Sequence, residues 1–170
     1  KICVIDGKVA FTGGVNLADE YANEITRFGH WKDTAIMLKG DAVQSFTMLF
    51  LEMWAVNQME PADCQNYLTP KHVVPDPPHG YVIPYGDHPY DNEGEEVYFH
   101  ILNHSKKYVH IMTPYLILDS EMITALTRAA KSGIEVIIIM PHIPDKWYAF
   151  VLAHTYYKEL IQAGVSIYEY

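Results

Sequence analysis

The chain has 170 residues, 49% of them hydrophobic, with twelve basic and twenty-one acidic residues and a formal charge of -9. That length and apolar content suffice for a compact domain with a real core. The acidic balance opposes non-specific attraction to nucleic acid or to an anionic membrane surface, so any phosphate chemistry has to come from local cations.

The opening, Ile2 to Asp6, then Gly7-Lys8, then Val9 to Gly13, reads as two short strands around an Asp-Gly turn, a β-hairpin. A third strand is expected over Thr34 to Lys39. After Gly40-Asp41, the apolar positions Val43, Phe46, Leu49, Phe50, Met53 and Trp54 have the spacing of a helix with one buried face. From Glu60 to about Glu93 the composition turns to Pro, Asp, His, Gly and Tyr, and prolines 70, 75, 77, 78, 84 and 89 exclude a long helix. This is a connector, within which Tyr81 to Tyr85 could form a short edge strand.

The remainder alternates: helix Glu95 to Lys106, strand Tyr108 to Thr113, helix Ser120 to Ser132, strand Ile134 to Met140, helix Lys146 to Ala163, strand Val165 to Tyr168. Such alternation builds a parallel βαβαβ sheet with helices on both faces, joined by right-handed crossovers. Asp119 and Ser120 can cap the second of these helices, Gly133 and Gly164 stand where C′ glycines belong, and Ile134 to Met140 suits a strand buried on both faces. The longest apolar stretch is that same strand, broken by Glu135 and stopped by Pro141, so no segment spans a bilayer and we expect a soluble piece. No secretory signal is present either. Lys1 in place of a methionine, and an end at Tyr170 inside what reads as a strand, lead us to expect a piece of a longer polypeptide. Cys3 and Cys64 form neither a CxxC pair nor a zinc spacing and read as reduced, structural thiols.

Lys1 and Asp6 alone would read as a surface pair. The whole string Lys1-Ile-Cys-Val-Ile-Asp6-Gly-Lys-Val-Ala-Phe-Thr-Gly13-Gly14-Val-Asn16 resembles the HxKxxxxD motif and its GGxN continuation in the phospholipase D superfamily, without the leading histidine. The pattern has a physical logic. A lysine cation neutralises a phosphate oxygen, two glycines let backbone amides approach it, and an asparagine amide adds a donor. Trp31-Lys-Asp33-Thr34 followed by Gly40-Asp-Ala-Val43 resembles the family's WRDTH…GPAV segment, with lysine for arginine, alanine for histidine and aspartate for proline. Thr113-Pro-Tyr115 with Asp119 resembles its TPYFIPD strand end, and Gly133 to Pro141 followed by Asp145 its GVDVRIIVP…D region. Tyr156 to Tyr170 is similar to bacterial cardiolipin synthases.

The resemblance implies a phospholipase D-like α/β fold: residues 1–59 from the first of two halves, a connector over 60–93, and residues 94–170 from the second. Each half of such an enzyme supplies one HxKxxxxD motif to a shared active site. One histidine attacks the phosphodiester, the other serves the leaving and entering alcohols, and no metal or cofactor takes part. For a cardiolipin synthase the donor and acceptor are both phosphatidylglycerol, an anionic phospholipid, and the enzyme works at the bacterial cell membrane. Lys1 and Asp6 then belong to the catalytic motif, with Asp6 structural and orienting; Gly13, Gly14 and Asn16 contact phosphate. Tyr115 and Asp119, at the end of a parallel strand, are candidates for the active-site rim. Both reactive histidines lie outside these residues, so the 170 residues alone are expected to be inactive. The alternatives are a hydrolase or phosphatidylserine synthase of the same superfamily, or a non-enzymatic binding domain on the inherited fold; a nuclease would need a basic groove that this acidic chain lacks.

His100 and His104, at i and i+4 on a helix, could share a metal, but no acidic base follows an HExxH pattern and no metal is expected. Asp145, before a helix, reads as a cap. Trp147 and Tyr148 are the preferred candidates for a membrane-facing rim. A cut through a two-lobed sheet would also expose apolar edges, giving possible self-association of the piece as a homo-oligomer.

Overall fold

The structure, a computed structural model, describes residues 1–58, 64–68, 84 and 92–170. The chain divides into two compact units, Lys1–Tyr85 and Gly86–Tyr170. The edge strand expected over Tyr81 to Tyr85 and most of the connector fall outside the described residues.

In the first unit, β1 (Ile2–Ile5), β2 (Val9–Gly13) and β3 (Ala35–Lys39) form an antiparallel sheet in that order, followed by α1 (Ala42–Gln58). Asp6 and Gly7 both take positive φ, 52° and 61°, and the Lys8 amide bonds the Ile5 carbonyl at 2.9 Å. Asp6, Gly7 and Lys8 thus form a tight three-residue loop between the paired strands, with Asp and Gly at the left-handed positions they tolerate best. The register runs from Ile5 opposite Val9 to Ile2 opposite Thr12, so Lys1 and Gly13 lie together at the end away from the turn. α1 packs on this sheet through Val43 and Phe46, which enclose Ala10 with Ile2, Val4 and Leu38 around them. The helix outruns the expected end at Trp54 by about a turn, and Met53 and Trp54 are exposed on it.

In the second unit, α2 (Glu93–His104), β4 (Tyr108–Met112), α3 (Ser120–Lys131), β5 (Glu135–Met140), α4 (Trp147–Gln162) and β6 (Ser166–Glu169) follow the expected alternation. The boundaries are within about two residues of the sequence reading, the usual uncertainty of helix and strand ends. β4, β5 and β6 pair in parallel, in chain order. The β5 side chains Val136, Ile138 and Met140 are fully buried while Ile137 and Ile139 are half-buried, so one face of this strand is sealed and the other only partly covered. Leu102, Leu116, Leu126, Ala153, Leu160 and Val165 complete the core.

α3 and α4 end alike. Gly133 and Gly164 have φ of 87° and 102°, and each helix closes with paired backbone bonds: Ile134 to Ala129 and Gly133 to Ala130, Val165 to Leu160 and Gly164 to Ile161. These are Schellman caps, which need a residue free to adopt left-handed backbone at C′. They turn the chain sharply from helix into the next strand, which is what a βαβ unit with short loops requires.

Candidate phosphate cradle

At the open end of the first sheet, the Lys1 ammonium donates to the Gly14 carbonyl at 2.7 Å and to Asn16 Oδ1. An ammonium has three hydrogens, so one donor is left for an incoming anion; with Oδ1 turned to the lysine, the two Nδ2 hydrogens are the donors that Asn16 has left. The strand that carries Lys1 is pinned beside it by the Thr12 hydroxyl, which donates to the Lys1 carbonyl at 3.0 Å.

Gly13 is dictated by the neighbouring strand. Its φ is 150°, and a Cβ there would stand 2.4 Å from the Thr34 carbonyl oxygen and 2.6 Å from Ala35 Cα, inside contact distance of fixed backbone. Gly14 differs: a Cβ would meet nothing closer than Asp33 Oδ1 at 3.7 Å. The first glycine lets β2 and β3 approach, whereas a side chain at the second would make only ordinary contacts with Asp33 and Thr34.

Asp33 is the supporting residue that the sequence reading passed over. Its Oδ2 accepts the Asn16 backbone amide at 3.1 Å, and the Gly14 amide donates to the Thr34 carbonyl at 2.9 Å, so the WKDT segment holds the GGVN segment from the side. The loop presenting Asp33 is built on Trp31. Asn23 clamps the Trp31 backbone on both its groups, at 2.7 and 2.9 Å, and the Trp31 ring sits 4.9 Å from Tyr21 and 5.8 Å from Phe28. The signal available in the sequence was the pairing of the two quoted strings, each read separately.

Asp6 is not part of this constellation. It occupies the hairpin turn at the opposite end of β1, roughly 15 Å from Lys1 by the rise of an extended strand.

The second unit gathers its polar groups at the carboxyl ends of β4 and β5. The Tyr115 hydroxyl donates to Asp145 Oδ2 at 2.6 Å, while the Thr113 hydroxyl and the Tyr115 backbone tie the turn after β4. Asp145 is therefore not the cap expected for α4, whose N-cap is Lys146 without a side-chain bond. Asp119 does cap α3: its Oδ1 accepts the Met122 amide at 2.8 Å. That bond, with a second from Glu95, holds Asp119 below the usual carboxylate range, and the bond to Asp119 raises Glu95. Tyr115 and Asp119, read together as a rim, thus turn to Asp145 and to the helix end respectively.

A third cluster was not foreseen. Glu169 at the end of β6 receives His142 at 3.0 Å on one oxygen, and His154 at 3.1 Å and Tyr157 at 3.4 Å on the other. The His142 bond and the charges of both imidazoles lower Glu169, while burial first and then Glu169 push the Tyr157 hydroxyl up to about 12. His100 and His104 stack at 4.1 Å on α2, and among the described residues no group of His, Cys, Asp and Glu has the arrangement of a metal site. Cys3 and Cys64 are not joined in a disulfide. No helix among the described residues is long and apolar enough to cross a membrane.

Comparison with known proteins bears on the same stretches. Residues 98–170 match the family model described as cardiolipin synthase, PLD-like domain. Over its full length the chain is 57% identical to an uncharacterized protein of Streptococcus mutans, 40% to cardiolipin synthase 2 of Bacillus cereus and 37% to the cardiolipin synthase of Geobacillus kaustophilus. It covers 37%, 33% and 34% of those proteins, about a third of the length of the curated relatives it matches.

Proposed function

From the premise that the chain belongs to the phospholipase D superfamily, among proteins similar to bacterial cardiolipin synthases, we propose that it supplies one phosphate cradle of a phosphatidyltransferase. The observation that carries this reading is the meeting of the Lys1 ammonium, the Gly14 carbonyl and the Asn16 carboxamide at one sheet end, with Asp33 bracing them. Residues 1–59 belong to the first half of such an enzyme and residues 94–170 to the second.

In this reading the substrate is phosphatidylglycerol at the bacterial cell membrane. A motif histidine attacks phosphorus, and the bond from phosphorus to the glycerol oxygen breaks. A second histidine protonates the departing glycerol. That histidine then takes the proton of a hydroxyl on another phosphatidylglycerol, whose oxygen attacks phosphorus as the phosphorus–nitrogen bond breaks, giving cardiolipin and restoring both imidazoles. The Lys1 ammonium neutralises the equatorial oxygens and the Asn16 amide donates hydrogen bonds to them as charge concentrates there, which is where preorganised donors contribute most. Asp6 contributes by forming the hairpin turn that aligns β1 and β2. Tyr115 and Asp145 line the strand ends where open α/β sheets receive ligands.

The test uses labelled phosphatidylglycerol. The 170 residues, which carry no histidine two places ahead of Lys1, should form no cardiolipin above the blank; a polypeptide that includes that histidine and the second motif should form cardiolipin and glycerol. Lys1→Ala in the latter should cost about 10²–10³ in rate, the loss typical of one oxyanion donor. Turnover by the 170 residues alone would refute the placement of the nucleophiles, phosphatidic acid as sole product would indicate a hydrolase, and full activity in the Lys1→Ala protein would sink the cradle.

A further inference from the structure

The imidazoles of the second unit differ in how they are held. His104 meets the His100 carbonyl, and His154 is engaged on both nitrogens, by the Phe150 carbonyl and by Glu169. His110 meets Glu135 through Nε2 and stacks on Tyr108 within β4. His142 is held by a carboxylate through Nδ1, at 3.0 Å from Glu169 Oε2, and among the described residues its Nε2 meets no partner. Its side chain is 71% exposed.

This ring is fixed from several sides. The His142 amide donates to the Tyr170 carbonyl at 3.0 Å and the Tyr170 amide to the Met140 carbonyl at 2.8 Å, so the β5–β6 ladder runs on to this residue. Glu169 is itself held, because its other oxygen receives His154 at 3.1 Å and Tyr157 at 3.4 Å. The far end of the same loop is tied by the bond from Tyr115 to Asp145. An oriented imidazole thus stands at the carboxyl ends of β5 and β6, the edge where open parallel sheets receive ligands. His110, by contrast, lies in the middle of its strand.

The count of hydrogens says what such a ring can take. Glu169 is kept ionised, chiefly by the His142 bond, and a carboxylate only accepts, so the hydrogen between them sits on Nδ1. The neutral ring then offers Nε2 as a lone pair. That lone pair is a partner for an alcohol O–H and not for the oxygens of a phosphodiester, which also only accept. A carboxylate behind an imidazole is the device that sets tautomer and ring direction at working histidines.

We propose that His142, oriented by Glu169, binds a hydroxyl of a glycerol headgroup through Nε2 and so selects the alcohol that enters the transfer. This deepens the proposed function and rests on it for the choice of alcohol and for the reaction that the alcohol enters.

Two measurements test it. In long-range proton–nitrogen correlation spectra of the 170-residue chain at about pH 8.5, where imidazole is ordinarily neutral, His142 should show a hydrogen on Nδ1 and a bare Nε2. The Nε2 signal should shift with glycerophosphoglycerol, the deacylated headgroup, and stay in place with dimethyl phosphate, a phosphodiester without a hydroxyl. Glu169→Gln, whose amide can also donate, should lose the Nδ1 preference and weaken headgroup binding about fivefold. His110→Ala should leave the titration unchanged, and far-UV circular dichroism should show every variant folded. In the longer polypeptide with both motifs, His142→Ala should raise the ratio of phosphatidic acid to cardiolipin about fivefold, the loss of one hydrogen bond to the entering alcohol, with total glycerol release within about twofold. A hydrogen on Nε2, no shift with glycerophosphoglycerol, an equal shift with dimethyl phosphate, or an unchanged product ratio in His142→Ala overturns the proposal. A longer polypeptide that forms no cardiolipin refutes the transferase reading instead, and the headgroup titration still decides the role of His142.

Discussion

The two units stabilise themselves in different ways. In residues 86–170 the apolar side chains of α2, α3, α4 and the parallel strands close around Leu126, Ile138, Met140 and Leu160, each almost without exposed surface. In residues 1–85 the described buried cluster is Ala10, Val43 and Phe46, while Ile36, Met37, Phe50, Met53 and Trp54 stand exposed on β3 and α1. Yet this thinly packed unit carries the more exactingly placed polar groups. Its order at the cradle comes from backbone approach and directed bonds, namely Gly13 against β3, Asp33 on the Asn16 amide, and Thr12 on the Lys1 carbonyl. Polar groups can thus be placed at one sheet end without a large core beneath them, where backbone approach and directed bonds fix the segments that carry them.

The largest expected effect lies in the second unit. Leu126→Ala removes a side chain only 1% exposed from the middle of α3, and should cost about 2–5 kcal/mol by lost transfer and cavity formation. Hydrogen exchange should show the loss spread over α2, β5 and α4 together, since all contribute to one core. Protection lost in α3 alone would mean that this unit is looser than its burial implies.

A smaller effect should separate the two glycines of the cradle. Gly13→Ala places a methyl against the Thr34 carbonyl and Ala35 Cα, with left-handed backbone besides, and should destabilise the first unit by about 1–3 kcal/mol. Gly14→Ala meets only ordinary contacts, at 3.7 Å and beyond, and should leave stability within about 0.5 kcal/mol, so that any loss of phosphate binding in this variant reports on the cradle rather than on folding. Urea denaturation measures the first quantity, and binding of inorganic phosphate the second. Equal destabilisation by both would mean that the GG pair serves folding alone.

Legibility followed the same division. The βαβαβ alternation, the C′ glycines and the Asp-Gly hairpin could be read because local pattern and tertiary structure demand the same residues there. The resemblance supplied Lys1, the glycines and Asn16 as a group, and the structure brings Lys1, Gly14 and Asn16 into contact while setting Asp6 at the far turn. Asp33 was quoted as part of a string without a role, because its partner is an amide seventeen positions away, fixed only once Trp31 has folded the intervening loop. Asp145 and Asp119 show why a lone aspartate before a helix is ambiguous: both precede one, and only Asp119 caps it. Bonds between distant side chains, such as Tyr115 with Asp145 or His142 with Glu169, leave no periodic trace in a sequence.

That last pair sets the smallest effect. Glu169 ties the loop after β5, through His142, and α4, through His154 and Tyr157, to the end of β6. The ring of His154 lies between the Phe150 carbonyl at 2.8 Å and the Glu169 carboxylate at 3.1 Å. Glu169 is held below its ordinary value, chiefly by the His142 bond, so an unfolded chain binds more protons than the folded one in the acid window below about pH 4.5. The stabilisation is present above that window and fades as pH falls through the folded value. Glu169→Gln should therefore flatten the acid limb of the second unit's stability, and His142→Gln, which removes the largest cause, should flatten it partly. Hydrogen exchange at β6 between about pH 3 and pH 6 reads both. An unchanged acid limb in Glu169→Gln would mean that β6 is held by its backbone ladder alone, and that this end of the well-packed unit owes nothing to the directed side-chain bonds on which the cradle depends.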